Sequence, residues 1–485
     1  MADLSGADPG LINDDIRPTT DAERTWSIGA MASLWVGMVV CVPTYTLAAS
    51  MISDGMNWWQ AVGTVMLGNL IVLVPMVLNG HPGTKYGIPF PVLARASWGV
   101  QGAHIPSVAR ALVACGWFGI QTWFGGFAIY QLLNVLTSGG LEGADLPILG
   151  INFGEFACFL AFWAVQLVVV YKGVESIRLL EQYAAPFLIL MGLALLGWAY
   201  VKADGFGTML STPSKFAAGG EKEGQFWSVF FPSLTAMVGF WATLSLNIPD
   251  FTRYAKSQRD QVLGQLLGLP TTMTLFAFIG VAVTSATVVI FGEAVWDPTV
   301  LLGKMGGGFA VVVSLFALSI ATLSTNIAAN VVSPANVFIN VAPSKIDFRI
   351  GGMITAGFGV AIFPWKLIES TGNYIFTWLI GYSALLGPIG GILIVDYFLI
   401  RKTEFDLPGL YRKDGPYWYS GGFNPVAIIA FVVAVLPNLP GFLVAAGAMD
   451  SAAPIFTTLY TYAWFVGFLL AGAIYYVGMK ARATR

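Results

Sequence analysis

Charge is what this chain has least of. Only 10% of its 485 residues are Asp, Glu, Lys or Arg, while 56% are hydrophobic. A soluble domain carries roughly 25% charged residues, and a soluble fold of this length could not hide so much apolar surface. Histidine is nearly absent: His81 and His104 are too few and too separated for a histidine metal site. The three cysteines, Cys41, Cys115 and Cys158, lie in apolar stretches, without a disulfide framework or zinc spacing. A net charge of −2 gives no basic surface for nucleic acid. Asp250, Asp396 and Glu155 sit near the ends of apolar runs, so no carboxylate occupies the centre of one. A membrane enzyme would need a catalytic pair or metal cluster, and neither histidine has such a partner. No enzyme activity and no cofactor are expected.

Glycine (56) and tryptophan (16) are abundant, as in helices that pack closely in lipid and anchor at its interfaces. A hydrocarbon core needs about 20 apolar residues per helix. Twelve runs fit: 27–52, 58–79, 105–136, 153–172, 182–203, 227–248, 267–291, 308–341, 350–365, 372–400, 425–446 and 455–479. The acidic segment through Glu23 lacks the basic start and apolar core of a signal peptide. It reads as a soluble cytoplasmic tail before an uncleaved anchor, with no soluble domain appended. With the N-terminus inside, 18 Lys and Arg fall on inner segments and 5 on outer ones, and Arg110 lies within a span. The positive-inside rule therefore predicts a multi-pass protein of the cell (inner) membrane with both termini cytoplasmic.

Such a chain could be a transporter, a channel or a membrane enzyme. A channel should show pore-lining rings or repeated motifs, and none is visible. The first span carries Pro43 near its middle, which removes a backbone bond and frees a carbonyl. The sixth carries Gly239 mid-span and a polar end, Asn247-Ile-Pro249-Asp250. Paired interruptions at equivalent places in two five-helix halves point to an inverted-repeat transporter with a midplane site. A simple kink at Pro43 and a packing contact at Gly239 are the alternative. In the third span, Trp117 and Gln121 are four apart and share a face. An aromatic plate one turn from an amide suits a flat ring with N–H and C=O edges; a helix-to-helix bond by Gln121 is the plainer reading. In the eighth, Ala321, Ser324 and Thr325 share a face. One carbonyl and two hydroxyls would suit a small hard cation, although such hydroxyls often bond back to their own helix.

Five motifs carry a family resemblance: Leu78-Asn-Gly-His-Pro-Gly-Thr-Lys-Tyr-Gly-Ile-Pro-Phe-Pro-Val, Trp117-Phe-Gly-Ile-Gln-Thr-Trp, Asn247-Ile-Pro-Asp-Phe-Thr-Arg-Tyr, Ser324-Thr-Asn-Ile-Ala-Ala-Asn-Val-Val-Ser-Pro-Ala, and Leu386-Gly-Pro-Ile-Gly-Gly followed by Asp396-Tyr-Phe. Together they resemble the nucleobase–cation symport-1 family, the hydantoin transporter and allantoin permease group. The resemblance runs from about Thr25 to Lys402 and more weakly beyond. It implies an all-α membrane protein of the LeuT type, with two inverted five-helix repeats plus two C-terminal helices. The boundaries expected are a tail at 1–25, repeats at 26–203 and 204–400, and the last two helices with a cytoplasmic tail at 401–485.

The resemblance implies that Trp117 and Gln121 stack on and bond the ring, that Trp241 covers its other face, and that Asn330 bonds its edge. Phe240, Cys41 and Leu379 are carried into the same pocket. Sodium is implied at Gly37, Val40, Ala321, Ser324 and Thr325. Asn330 lies about 140° from Thr325 on an ideal wheel, so its place rests on the resemblance. Cys41 stands where hydantoin-transporter-like members have glutamine and allantoin-permease-like ones asparagine. Phe240 stands where the hydantoin transporter has glycine. The Asn79-Gly-His-Pro-Gly-Thr-Lys-Tyr-Gly87 loop is nearer the allantoin branch, yet Thr325 keeps a hydroxyl that this branch can replace with valine. The expected function is monomeric symport of allantoin, a hydantoin or uracil with Na+ or H+. The alternative is a proton-coupled permease for cytosine, thiamine or another small heterocycle.

Overall fold

Proline and glycine decide where the apolar runs break. In the computed structural model, helix α1 (Ile28–Val39) and helix α2 (Val42–Ser53) form one span bent by 60°. Val40 leaves helical conformation at ψ 78° and Cys41 is extended, so the break falls ahead of Pro43. Pro43 occupies the first turn of α2, where its missing N–H costs nothing. The structure describes residues 4–137, 139–141, 143–172, 174–305, 308–370 and 373–483, without the side chains at 135, 174–185, 188, 299, 303, 309–311 and 483. The side chain of Arg178, and Arg485 entirely, lie outside the described residues.

The helices that follow are α3 (Trp58–Tyr86), α4 (Phe90–Trp98), α5 (His104–Leu136), α6 (Phe153–Lys172), α7 (Val174–Lys202), α8 (Phe206–Met209), α9 (Phe226–Asn247), α10 (Pro249–Thr252), α11 (Gln258–Phe291), α12 (Pro298–Lys304), α13 (Gly308–Asn330), α14 (Val332–Val341), α15 (Phe348–Ala361) and α16 (Pro364–Leu367). Helix α17 (Ile380–Ile394) is flanked by π turns at Asn373–Leu379 and Val395–Ile400. It is followed by α18 (Pro425–Val435), α19 (Leu439–Ala445), α20 (Pro454–Thr461) and α21 (Ala463–Ala483). Among the described residues nine helices are long and apolar enough to cross a bilayer, and the bent α1–α2 pair makes a tenth. Shorter apolar helices, Ile189–Lys202 and Phe348–Ala361, stand at the fifth and ninth runs.

Two expectations need correction. Helix α9 runs unbroken through Gly239, and its interruption comes only at Ile248, before Pro249. Gly239 is a close-packing site: a Cβ there would stand 2.0 Å from Ser383 Oγ and 3.0 Å from the Leu379 carbonyl. The tail is not freely solvated either. Leu11 and Ile16 are buried, and the segment is bonded to several neighbouring loops and helix ends. Thr19 Oγ1 donates to the Arg253 carbonyl, Asp8 N to Tyr411 O, and Tyr411 Oη to Ile16 O, each at 2.7–2.9 Å. Buried Arg95 donates to the carbonyls of Leu11 and Leu410 and to Asn340 Oδ1. These joined segments are the ones rich in Lys and Arg. Outside the spans, the Arg17 guanidinium and the Thr20 backbone N–H hold the Glu23 carboxyl down to about 2.

Helix α1 lies on α11 through Gly264 and Gly268, a small-xxx-small pair that lets two backbones approach in lipid. A Cβ at Gly268 would meet Trp35 Cβ at 2.7 Å and the Ala32 backbone at 3.0 Å. Gly268→Leu should therefore push α1 off α11 and destabilise the protein by about 1–3 kcal/mol or more. The check is a lowered thermal midpoint in detergent; an unchanged midpoint would refute the close contact.

Candidate functional site

The break in the first span brings Cys41 against α5, α9 and α13. Met38, Cys41, Trp117, Gln121, Phe240, Trp241, Thr243, Leu244, Thr325, Ala329 and Asn330 line one cavity of about 20 Å³. Six of the seven proposed ring-binding residues thus meet at one place, and all six are buried. The seventh, Leu379, does not line it: its carbonyl accepts from Ser383 Oγ behind α9. Thr325 and Asn330 share the cavity despite their separation on the wheel. Ala329 lies between them on that arc and is too small to fill it, so both flanking side chains reach the same space.

The aromatic residues are arranged differently from two parallel plates. Phe240 stands edge-on between the two indoles, with its centroid 5.2 Å from Trp117 and 5.0 Å from Trp241, at 72° and 83°. The phenyl fills much of the gap a ring would enter. Trp117 is further boxed by Tyr374, Trp378 and Tyr382, at centroid distances of 6.2, 5.8 and 6.4 Å. Tyr374 and Trp378 sit on the π turn before α17, and such turns recur at functional sites. Tyr374 Oη also donates to the Pro43 carbonyl at 3.3 Å, tying the tenth span to the break.

Two polar atoms in this wall are unsatisfied. Gln121 Oε1 and Trp241 Nε1 are buried without a partner in the protein. Buried polar groups are otherwise nearly always hydrogen-bonded, and an orphan costs about 1–3 kcal/mol. An acceptor beside a donor matches the N–H and C=O edges of a flat heterocycle. Cys41 Sγ is engaged with Thr44 Oγ1 at 3.3 Å, so it adds little polarity. Asn330 Nδ2 donates to Asn326 Oδ1 at 2.9 Å. Asn326 Nδ2 in turn reaches Gln166 Oε1 at 2.7 Å and the Phe118 carbonyl at 3.0 Å, while Gln166 donates to Thr122 Oγ1 at 2.9 Å. This network holds the Asn330 amide in one orientation, and the sequence reading missed it. The signal was there: Gln166 is an amide in the middle of an apolar run, where polar groups are costly unless they serve something.

The cation donors also converge in part. Thr325 Oγ1 donates to the Gly37 carbonyl at 3.1 Å, bringing α13 onto the end of α1. Val40 packs against Ala321, and Ser324 is buried on the same helix. Among the described residues no group of three or more His, Cys, Asp or Glu could hold a metal. The oxygens available at the break are neutral carbonyls and hydroxyls, the donor type that unwound transporter helices offer Na+. The set present fits such an ion.

A family model described as permease for cytosine/purines, uracil, thiamine and allantoin matches residues 18–467. The chain belongs to this family, the nucleobase–cation symport-1 permeases. It is 50% identical to the purine-uracil permease NCS1 of Arabidopsis thaliana over 99% of this chain and 79% of that one. It is 41% identical to the allantoin permease of Bacillus subtilis (strain 168), over 97% and 93%. The structure of Mhp1, a nucleobase-cation-symport-1 family transporter in a closed conformation with bromovinylhydantoin bound, superposes with a TM-score of 0.80 at 26% identity, covering 98% of this chain and 96% of that one. The permease is a multi-pass membrane transporter and not an enzyme, with the all-α transporter fold expected from the sequence.

Phe240 is the residue whose geometry speaks most directly to cargo size. Phe240→Gly should open the gap between Trp117 and Trp241. A large-to-small core change of this kind costs about 3–5 kcal/mol, so the ligand-free thermal midpoint should fall. Affinity for hydantoins bearing a bulky substituent should rise about tenfold relative to uracil, or ~1.4 kcal/mol. Equal affinity changes for both ligands would show that the phenyl does not gate the space.

Proposed function

We propose that this permease is a secondary symporter that imports a nucleobase-like heterocycle together with Na+. The observation that carries the reading is the convergence of Trp117, Gln121, Trp241 and Asn330 on one cavity with Gln121 Oε1 and Trp241 Nε1 unsatisfied. Allantoin, hydantoins and uracil all present a flat ring with adjacent N–H and C=O groups. Relatives described as purine-uracil and allantoin permeases, and the hydantoin-bound Mhp1, support that class.

Sodium is assigned to the carbonyls of Gly37, Val40 and Ala321 and the hydroxyls of Ser324 and Thr325. Thr325 belongs to both the cation set and the cavity wall. An ion drawing Thr325 Oγ1 and Gly37 O together fixes the break, and with it Cys41 and the cavity. Each ligand then raises the affinity of the other by the same factor. The repeats at 26–203 and 204–400 rock around this point, with both termini in the cytoplasm, as the Lys and Arg distribution supports.

Radiolabelled allantoin, uracil and a substituted hydantoin, bound to purified protein in Na+ or in K+, test the reading. At least one should bind more tightly in Na+. Trp117→Ala and Gln121→Ala should each weaken it by about tenfold or more, the loss of one stacked or hydrogen-bonded contact. Thr325→Ala should abolish the advantage of Na+ over K+, and Thr325→Ser should keep most of it. An unchanged Na+ advantage in Thr325→Ala would sink the cation assignment.

A further inference from the structure

We propose that the same cargo has a second, inner station between Arg110, Asn247 and Asp250, directly below the cavity. This rests on the heterocycle reading above. Arg110 is fully buried on α5, seven residues before Trp117. That spacing places it about two turns away and ~20° off the same line on the helix. Its Nε donates to the Thr243 carbonyl and to Asn247 Oδ1, both at 2.9 Å. Thr243 itself lines the cavity, so the guanidinium hangs beneath the cavity floor.

The rest of the cluster is open. Arg110 Nη1 and Nη2 are buried without a partner in the protein, and Asp250 Oδ2, faced by the Asn247 amide, accepts no hydrogen bond of ordinary distance and angle. Asp250 is 2% exposed, and its other oxygen accepts from the Phe90 backbone N–H at 2.9 Å. A buried guanidinium and carboxylate left apart are expensive, and a core built only for stability would close them into a pair. Held apart, they offer donors on one side and an acceptor on the other. An –NH–CO– edge satisfies both: its carbonyl accepts from Arg110 and its N–H donates to Asp250 Oδ2. That edge is common to allantoin, hydantoins and uracil. Beyond it, Arg253 closes the inner face, with Nη2 donating to the Asp15 carbonyl and Tyr254 Oη at 2.9 and 2.7 Å. The cluster therefore lies between the cavity and the inner surface, on the line a released ring would take.

The test uses the full-length permease in proteoliposomes, with radiolabelled allantoin and uracil measured for equilibrium binding and for uptake. Arg110→Gln and Asp250→Asn should leave equilibrium binding within about threefold while uptake falls 10- to 100-fold, the loss of a charge-assisted hydrogen bond on the exit path. Arg110→Lys, which keeps a charged donor, should recover part of that uptake, as a residue serving only to join α5 to α9 would not. In a Trp117→Ala background, weak residual binding should remain and should vanish on adding Arg110→Gln. Wild-type uptake in the Arg110→Gln and Asp250→Asn variants, or no residual binding in Trp117→Ala, would overturn the station. Binding that falls in step with uptake would do so too, because it assigns Arg110 to the central cavity. If Arg110→Gln does not fold, Asp250→Asn and Arg110→Lys decide by the same readouts. Failure of the wild-type protein to bind either compound is a different result and overturns the heterocycle reading, with the station following it.

Discussion

The break between Val40 and Cys41 is the constraint on which the rest of the site depends. Backbone groups at membrane depth must be satisfied within the protein. A span bent by 60° can therefore exist only where neighbours cover its exposed groups. Here Thr325 caps the Gly37 carbonyl from α13, and Tyr374 caps the Pro43 carbonyl from the tenth span. Cys41 faces the cavity because the chain is extended there. The break, the proposed cation seat and the cavity wall are thus one construction, and movement of α13 or of the tenth span is transmitted to all three.

Selectivity follows from how this cavity is filled. Three of its lining residues are aromatic, and a phenyl stands on edge against both the Trp117 and Trp241 indoles. In the proposed function a ring seated between the indoles displaces Phe240, so the energy of seating the cargo is linked to rotation of that α9 side chain. Cys41 contributes a weakly polar thiol that already has a partner. In the proposed function recognition falls to Gln121, Trp241 and the amide of Asn330, whose orientation is set by Asn326, Gln166 and Thr122.

Much of the architecture was legible because lipid imposes length and apolarity on every span, and among the described residues all runs but the fifth and ninth correspond to long apolar helices, the first as a bent pair. That Trp117 and Gln121 share a face was legible from helical spacing, while their grouping with Trp241 and Asn330 came from the family resemblance. Gly239 was misread because a glycine inside a span marks either a break or a contact, and only the neighbour on the other helix, Ser383, distinguishes them. Asn330 could not be placed by spacing, since a small residue between two long ones widens the arc that a cavity can use. Leu379 carries no polar atom on its side chain that could have marked its position, and it packs behind the site. The acidic tail looked free because composition reports charge and not the few apolar residues, Leu11 and Ile16, that fasten it.

That fastening has a mechanical consequence. The tail is bonded to the loop before α4, to the turn after α10, to the end of α14 and to the segment that follows the second π turn. In the rocking of repeats proposed above, these anchor points belong to parts of the chain that separate when the side carrying the tail opens. The tail therefore behaves as a strap laced across a seam: it cannot stay fully bonded while the seam parts. Each bond it gives up is worth about 1 kcal/mol, so the length and composition of a peripheral, water-facing peptide contribute to the balance between the open and closed forms of a site buried far above it.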